Sequence, residues 1–488
     1  MLFNSLEFVL FFPTVTLLYF LLPHRFRWQM LLTASCLFYM AFIPRYIVIL
    51  GVTILIDYFA ALWIVRPGLS PGKRKGVLII SIVSTCLVLF VFKYCNFFNS
   101  NFAAIARFLG WNYPIDTLNI ILPIGLSFHT FQSLSYVIEV YRGNQKPERH
   151  FGIYALYVMF YPQLVAGPIE RPQNLLHQFY DRHVFDYQRV TDGLKLMVWG
   201  MFKKAVIADR VAVAVNQVYG QPQEYVGLPL MVATVFFAFQ IYCDFSGYSD
   251  IAIGAAQVMG FRLMDNFNRP YFSKSVAEFW KRWHISLSTW FRDYLYIPLG
   301  GNRAKTWRWQ FNLFVTFLVS GFWHGANWTY VIWGGINGFY MIGSLWTRRP
   351  RAAICQALRL DKSPALHKYL RVAITFSLVC VAWVFFRASS VQDAFYILTH
   401  MFQGVFDGWK PAGLWRVYQI MGGRHEFIVA LLGIGLMEAV HAIQRHRRIR
   451  HMLIEKPWWV RWAIYYGVLL MIVFFGVFGR NQFIYFQF

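Results

Sequence analysis

The chain alternates long apolar runs with short polar loops from one end to the other. An α-helix of about 20 apolar residues crosses the ~30 Å hydrocarbon core of a bilayer. Runs that reach or approach this length lie at about 5–22, 28–43, 46–65, 76–92, 118–141, 151–166, 190–202, 227–243, 246–261, 309–324, 326–346, 369–386, 426–443 and 459–479. Because several of them are too short for a full crossing, the pattern predicts about 11 to 13 transmembrane helices plus re-entrant or interfacial pieces.

Composition agrees with a membrane protein. Hydrophobic residues make up 58% of the 488 and charged residues 14%, whereas soluble domains carry about 25% charged residues. These shares exclude disordered, collagen-like and coiled-coil chains, and a soluble globule needs more polar surface. We therefore predict an all-α polytopic membrane protein that forms a single integral membrane domain over residues 1–488.

The charge of the chain is strongly positive. Lys and Arg number 46 against 22 Asp and Glu, which gives a formal net charge of +24. In a soluble chain this excess would suggest nucleic acid, but here basic residues cluster in loops at 66–75, 346–371 and 445–450. The positive-inside rule places such loops in the cytoplasm beside anionic headgroups, and the N-terminus outside. We expect these basic residues to contact the lipid bilayer and not nucleic acid. The alternative is that they bind anionic substrates.

The cysteines give no sign of a disulfide framework or a metal site. No C-x-x-C pair occurs, and most cysteines lie in apolar runs, where they act as small buried hydrophobes. The six are Cys36, Cys86, Cys95, Cys243, Cys355 and Cys380. We predict no metal ligands.

Residues 268–301 (NRPYFSKSVAEFWKRWHISLSTWFRDYLYIPLGG) differ from the spans in being amphipathic. Ser275 and Glu278 form a capping-box pattern that predicts a helix start, and Pro298 predicts its end. At ~100° per residue the apolar positions fill one face, with His284 at its border. The segment carries too many charges to span, so it should lie along the interface or enter as a re-entrant helix. A plain interfacial anchor is the alternative.

Residues 309–346 (WQFNLFVTFLVSGFWHGANWTYVIWGGINGFYMIGSLW) hold one side chain that titrates near neutral pH, His324. A titratable group at membrane depth is costly and usually faces a bundle interior or a wet cavity. Gly321 and Gly334 are each followed four residues later by another glycine, a spacing that permits close helix approach. A neutral histidine hydrogen-bonded within the bundle is the alternative to a functional one.

Four stretches together carry a family resemblance. They are YPQLVAGPIERP, in a segment 162–190 whose prolines should break helices, IYCDFSGYSDIAIG, RWHISLSTWFRDYLYIPLGG and SGFWHGANWTYVIWGGINGFY. In this combination they resemble the membrane-bound O-acyltransferase family, and within it the bacterial branch that O-acetylates polysaccharides. The resemblance covers a core at about 1–345 and the closing letters FIYFQF, whereas the C-terminal helices over 346–488 match mainly in hydropathy.

The resemblance implies spans around a central tunnel or funnel, in the bacterial inner (cytoplasmic) membrane. The family's invariant histidine corresponds to His324 and the branch's second histidine to His284, and segments 268–301 and 309–328 would line the tunnel waist. The donor would be a cytoplasmic acyl thioester, acetyl-CoA or another, with no bound cofactor. The acceptor would be a polysaccharide outside, reached with an exported SGNH-type esterase or acetyltransferase partner protein.

The residue types fit acyl transfer from a thioester, which needs a hydroxyl nucleophile and a base. A desolvated histidine stays neutral and available as a base. We therefore predict His324 as the base, while His284 positions the acceptor, acts as a second base or shares a proton. Asn327 and Asp293 are the candidates for orienting His324.

Further side chains are secondary candidates for substrate binding. Lys281 and Arg282 would meet the phosphates of a CoA-like donor, with headgroup contact as the alternative. Polar groups in the two apolar runs 227–243 and 246–261 and between them would line the tunnel or only bond neighbouring helices. The remaining candidates are Trp283, Asp293, Trp323, Asn327, Asp244, Ser246 and Tyr248.

Two other classes of function stay open. A transporter or flippase of an acyl carrier would also use membrane histidines and broken helices, although no paired broken segments occur in two halves of the chain. A non-catalytic assembly subunit of a polysaccharide-modification complex would not need His324.

Overall fold

The computed structural model describes residues 1–118, 122–408, 410–445, 449–478 and 483–484. Within these ranges the regular elements are helices and no strand occurs, so the predicted all-α fold is confirmed. The predictions that touch 119–121, 446–448 and the letters after Ile484 lie outside the described residues.

Six helices within the described ranges are long and apolar enough to cross a membrane. They are Tyr46–Ile64, Pro71–Phe108, Leu228–Met259, Pro364–Arg387, Arg424–Ile443 and Trp458–Phe475. Leu6–Leu21 is a shorter apolar helix. The chain is thus a multi-pass membrane protein, and the larger number of 11 to 13 crossings stays a prediction.

One compact unit comprises Met1–Met197 and Ser249–Met264. Its helices include α1 (Leu6–Leu21), α2 (His24–Met40), α3 (Tyr46–Ile64), α4 (Pro71–Leu89), α5 (Cys95–Phe108), α6 (Leu126–Arg142), α7 (Phe151–Met159), α8 (Tyr161–Leu164) and α9 (Pro172–Leu175). A π-helical turn at Phe90–Tyr94 makes α4 and α5 continuous. Helices α3, α4 and α6 pack against one another.

The proline-containing segment of this unit breaks into short helices, as predicted. Pro162 and Pro172 each stand in the first turn of a four-residue helix, α8 and α9, where a missing N–H costs nothing. Gly125, with φ of 78°, precedes α6, and a Cβ there would lie 2.7 Å from the carbonyl oxygen of Leu164. The start of α6 therefore packs directly on this segment.

The second unit comprises Val198–Tyr248 and Asp265–Phe488. The helices that follow in chain order are α10 (Tyr187–Met201), α11 (Asp209–Gly220), α12 (Leu228–Met259), α13 (Val276–Arg282), α14 (Ile285–Phe291), α15 (Thr306–His324), α16 (Trp328–Trp346), α17 (Arg348–Ala357), α18 (Pro364–Arg387), α19 (Val391–His400), α20 (Val405–Gly408), α21 (Pro411–Ile420), α22 (Arg424–Ile443), α23 (Ile449–Ile454) and α24 (Trp458–Phe475). The sequence boundary between the units falls within α10 and α12. That the chain forms one membrane domain with a core at 1–345 stays a prediction.

Helix α12 corrects the prediction of two runs at 227–243 and 246–261. It is one continuous helix of 32 residues, about 48 Å long at 1.5 Å per residue. The polar residues between the two runs suggested a turn, but Asp244 and Ser246 find partners on a π-helical segment, Phe202–Ala208. Because those contacts satisfy the polar side chains within the helix, the chain has no need to break there.

Candidate functional site

His284 lies at a break between two short helices, α13 and α14, and not on one continuous helix. Ser275 caps α13 as predicted, with its Oγ accepting the Glu278 N–H at 3.1 Å. Beyond Arg282, however, the chain leaves the helix, and His284 adopts φ 44° and ψ 55°. This left-handed conformation is unusual for a residue with a Cβ. The prediction of one helix from Ser275 to Pro298 is therefore wrong.

Asn266 stabilises this break. Its backbone carbonyl accepts the Ile285 N–H at 2.9 Å. Its side-chain Oδ1 accepts the Ser286 N–H at 3.3 Å and the Ser286 hydroxyl at 2.9 Å. Asn266 and His284 are each 1% exposed. A loop residue 18 positions before the histidine thus replaces the helical hydrogen bonds that the break removes.

The same contacts assign the protons on the His284 ring. A backbone N–H can only donate, so the atom of Asn266 that faces Ser286 is the amide oxygen. His284 Nδ1, 3.1 Å from that oxygen, must then be the protonated nitrogen. Burial lowers the pKa of the His284 imidazole to about 3. The ring is therefore neutral at neutral pH, and Nε2 carries the lone pair.

His324 is the last residue of α15, and Gly325 directly follows the helix. The imidazole is 5% exposed. The rings of Trp323, Trp333 and Phe386 surround it at centroid distances of 4.8, 5.0 and 5.3 Å, all tilted by more than 60°. The predicted break next to this histidine is therefore present, and the imidazole lies in an aromatic enclosure.

Glycines bring α15 and α16 into backbone contact beside His324. A Cβ on Gly321 would overlap the Tyr330 carbonyl oxygen, and a Cβ on Gly325 would overlap the Tyr330 ring. A Cβ on Gly334 would lie 2.5 Å from the carbonyl oxygen of Phe317. The predicted close approach at the spaced glycines is thus confirmed, and it fixes the end of α15 that carries the histidine.

An aromatic cluster, formed by Trp283, Trp333 and Trp383, links the surroundings of the two histidines. Trp283, next to His284 in sequence, lies 5.0 Å from Trp383. Trp383 stacks on Trp333 at 5.8 Å, and Trp333 packs against His324. Each of the three tryptophans is 1% exposed. The structure thus brings both predicted histidines to the border of one buried cluster.

The other candidates on and near α13–α16 have varied surroundings. Lys281 is exposed, and Arg282 forms an ion pair of 2.7 Å with Glu278. Asn327 caps α16, because its Oδ1 accepts the Thr329 N–H at 3.0 Å. Trp323 packs on His324, and Asp293 forms an ion pair of 2.7 Å with Arg292. Their roles in substrate binding or in orienting His324 stay predictions.

The polar candidates of α12 bond neighbouring elements. Asp244 Oδ1 lies 2.8 Å from Lys204 Nζ, and Lys203 Nζ donates to Ser246 Oγ at 2.9 Å. All four side chains are buried. These contacts match the alternative in which the polar groups join helices, and a further role in lining a tunnel stays a prediction.

Two residues near the C-terminus also contact α12. Ile484 N–H donates to Asp244 Oδ2 at 2.8 Å. The Phe483 ring lies 4.9 Å from that of Tyr248 and 5.9 Å from that of Phe245, which in turn meets the His284 ring edge-on at 4.6 Å.

Sequence patterns gave no sign that Asn266 or Phe245 would adjoin His284, since both lie outside the segment 268–301.

The chemistry available here is that of buried imidazoles. Among the described residues, no group of three or more His, Cys, Asp or Glu side chains could hold a metal ion. A neutral imidazole with an assigned acceptor nitrogen can take the hydrogen of a hydroxyl group. His324, the second imidazole, lies in an enclosure of tryptophan and phenylalanine rings, which limits the access of water to the ring.

Comparison with known proteins gives consistent matches. The model of the membrane-bound O-acyltransferase family matches residues 149–391. A probable alginate O-acetylase of Azotobacter vinelandii is 40% identical over 416 residues, 85% of this chain and 80% of the relative. A peptidoglycan O-acetyltransferase of Helicobacter pylori is 35% identical over 433 residues, 82% of this chain and 80% of the relative. A teichoic acid D-alanyltransferase of Streptococcus thermophilus is 28% identical over 291 residues, 54% of this chain and 68% of the relative.

The matched range contains the site just described. His284, His324, Asn266 and the three tryptophans of the aromatic cluster all lie within residues 149–391. The prediction of an O-acyltransferase enzyme, more narrowly an O-acetyltransferase, is confirmed by the family model and by two relatives named as O-acetylating enzymes, each matched over 80% of its length. The chain belongs to the membrane-bound O-acyltransferase family.

Proposed function

We propose that this enzyme takes an acetyl group from a cytoplasmic thioester, acetyl-CoA or another, and passes it across the bacterial inner membrane for O-acetylation of an extracytoplasmic polysaccharide. The observation that carries the proposal is the pair of buried histidines at one aromatic cluster, with His284 Nε2 assigned as an acceptor. The printed names of the relatives, which concern alginate and peptidoglycan, support a polysaccharide acceptor.

In the proposed reaction the histidines act on an acceptor hydroxyl. The hydroxyl oxygen bonds to the carbonyl carbon of the thioester, and the carbon–sulfur bond breaks. His324 takes the hydroxyl proton and returns it to the departing thiolate, so the imidazole ends neutral. His284 accepts or shares a hydrogen bond through Nε2 and positions the hydroxyl. General-base help of this kind contributes roughly 10²–10⁴-fold to the rate.

The distribution of charge along the chain supports a donor on the cytoplasmic side and an acceptor on the outer side. The stretches at 66–75 and 346–371, parts of which form helix ends and the short helix α17, are basic and acid-poor. This supports a cytoplasmic face that attracts an anionic thioester donor. Lys281 is exposed near the site and is our candidate for a donor phosphate, with headgroup contact as its alternative. Delivery to the polymer would involve an exported SGNH-type partner protein, as the family resemblance implies.

The test of the proposal is His324→Ala in the full chain. The change removes an imidazole from an aromatic enclosure without introducing a charge, so the membrane protein should accumulate. We expect acetyl transfer from a labelled thioester to fall by most of the ~10²–10⁴-fold that a general base contributes.

His129→Ala is the matched control. His129 is also a buried histidine on a helix, at 2% exposure, but it lies on α6, far from this site in the sequence. That variant should keep its acetyl transfer per unit of membrane protein. Wild-type transfer by a well-expressed His324→Ala protein would refute the catalytic assignment and favour a transporter or an assembly subunit.

A further inference from the structure

Phe386 closes one side of the aromatic enclosure around His324. It is the second-last residue of α18, whereas Trp323 and Trp333, the other two rings of the enclosure, belong to α15 and α16. The Phe386 ring lies 5.3 Å from the imidazole at an interplanar angle of 72°. Helices α16 and α18 pack against each other. A helix other than the two that meet at the histidine thus supplies a wall of the site.

Neighbouring rings hold Phe386 in place. Its ring centroid lies 5.1 Å from those of Trp333 and Tyr330 and 5.2 Å from that of Trp383, and all three contacts are edge-to-face. Edge-to-face pairs at such distances are a favoured arrangement of aromatic rings, and close-packed side chains resist displacement. Phe386 is therefore a fixed wall of the enclosure and does not swing aside for a substrate.

The exposed fractions of the side chains show which end of the enclosure is closed. His324 is 5% exposed and Trp323 is 7% exposed, whereas Trp333 and Phe386 are each 1% exposed. The imidazole is therefore approached from the side of Trp323, and Phe386 and Trp333 lie at the closed end. A group that enters beside the imidazole must end where these two rings begin.

The closed end limits the size of the acyl group. In the proposed reaction His324 takes the proton of the hydroxyl that attacks the thioester, so the carbonyl carbon lies one oxygen atom away from that proton. The alkyl part of the acyl group must then fit between the imidazole and the surrounding rings. An acetyl group ends at its methyl, whereas a longer group needs the space that Phe386 occupies. One methylene group more than an apolar pocket fits changes the rate about 10–200-fold.

We propose that Phe386 is a specificity-determining residue, which restricts the transferred acyl group to acetyl by filling the closed end of the enclosure. This inference rests on the proposed role of His324 in the reaction. Phe386 itself takes no part in the transfer of protons or of the acyl group. A smaller side chain at this position leaves a cavity into which the packed rings around it collapse only in part. The alkyl chain of a longer acyl group fits into that space.

Acyl competition in cells tests the proposal without assuming a particular thiol carrier. Cells that lack their own copy of the gene express the full chain and are fed propionate, which they convert into propionyl thioesters. The acyl groups that base releases from the washed polysaccharide are identified by mass spectrometry. The wild type should transfer almost only acetyl, and Phe386→Ala should raise the propionyl-to-acetyl ratio about tenfold or more. An unchanged ratio in a Phe386→Ala protein that still acetylates, or equal propionyl and acetyl transfer by the wild type, would overturn the proposal.

Phe385→Ala is the matched control. Phe385 is 3% exposed, and its ring packs on Phe395 of α19 at 5.6 Å. Because consecutive residues of a helix point about 100° apart, its loss leaves a cavity of similar size on another side of α18. The propionyl-to-acetyl ratio of this variant should stay at the wild-type value. An equal rise in both variants would show that loosening of α18, and not space beside His324, admits the longer group, and would refute the proposal.

Two further variants keep this test decisive. If Phe386→Ala fails to accumulate, Phe386→Leu keeps an apolar side chain of smaller size, and its propionyl-to-acetyl ratio should also rise; an unchanged ratio would refute the specificity role. His324→Ala separates the two proposals. A raised ratio in the Phe386 variant together with full activity of His324→Ala would support the wall and remove the base, whereas an unchanged ratio with an inactive His324→Ala would overturn the wall alone.

Discussion

At the scale of single residues, Asn266 determines what His284 can do. One amide oxygen accepts the Ser286 N–H and the His284 Nδ1–H, and so fixes both the backbone at the break and the tautomer of the ring. The hydrogen bond made by one ring nitrogen of a histidine determines which nitrogen carries the proton and how the ring is oriented. Asn266 is thus a positioning residue, which acts on the reaction through His284.

Asn266→Ala should lower kcat for acetyl transfer about 10- to 100-fold, the range found when the orienting partner of a metal-bound histidine is removed. The KM for the thioester should change little, because Asn266 acts through the ring and not on the donor. The measurement is steady-state transfer in membranes with protein amount normalised. A fall in protein amount alone, with unchanged kcat, would show that Asn266 is merely structural.

Asn266→Asp separates orientation from stability. It keeps an acceptor oxygen but puts a negative charge beside His284, which raises the pKa of the imidazole from its lowered value. The ring loses its base form when pH falls below its pKa, so the acidic limb of the kcat profile should move to higher pH. An unmoved limb would mean that the protonation of His284 does not matter to the rate.

At the scale of elements, the sequence predicted more of α15 and α16 than of α12–α14. The apolar run up to His324, the glycine after it and the spaced glycines are local signals, and the two helices follow them. The continuity of α12 depends on Lys203 and Lys204, about forty residues before their partners. The break at His284 likewise depends on Asn266. The periodic spacing of apolar residues in a helix cannot reveal such a contact.

The packing of α15 on α16 makes a further prediction. Gly321→Ala would put a methyl group into the Tyr330 carbonyl, and overpacking of this kind costs about 1–3 kcal/mol. We expect a lower Tm and less acetyl transfer, because the end of α15 that carries His324 would shift. Differential scanning fluorimetry of the purified chain measures the first effect.

Gly343→Ala on α16 is the matched control. Nothing lies within 4 Å of a Cβ at that position, and alanine is the better helix former by about 1 kcal/mol. Its Tm should therefore hold or rise. Equal losses in the two variants would show that the glycines act through helix propensity and not through close packing.

At the scale of the whole molecule, the described chain is helical and carries several candidate spans, yet its orientation is still a prediction from charge. The basic stretch at 66–75 follows α3, and its last five residues form the first turn of the long helix Pro71–Phe108. Because 38 residues exceed the length of one crossing, residues before and after this helix should lie on opposite sides of the membrane.

Single cysteines test this orientation in a background without the six native ones. Pro67→Cys in the basic loop should resist an impermeant thiol reagent added to intact cells. Asn112→Cys, beyond the far end of the helix, should react with it. Both side chains are exposed in the structure. The reverse pattern of labelling would place the basic loops outside and remove the argument for a cytoplasmic donor.

The left-handed backbone conformation of His284 limits which substitutions at that position can give an inactive enzyme that still binds its substrate. Alanine is strained in that region, whereas asparagine and glycine enter it readily. Asparagine also keeps a side-chain amide N–H that can reach the Asn266 oxygen in place of Nδ1–H, although it has no basic nitrogen. For crystals or cryo-EM grids of the thioester complex before transfer, His284→Asn should therefore preserve the shape of the site better than His284→Ala.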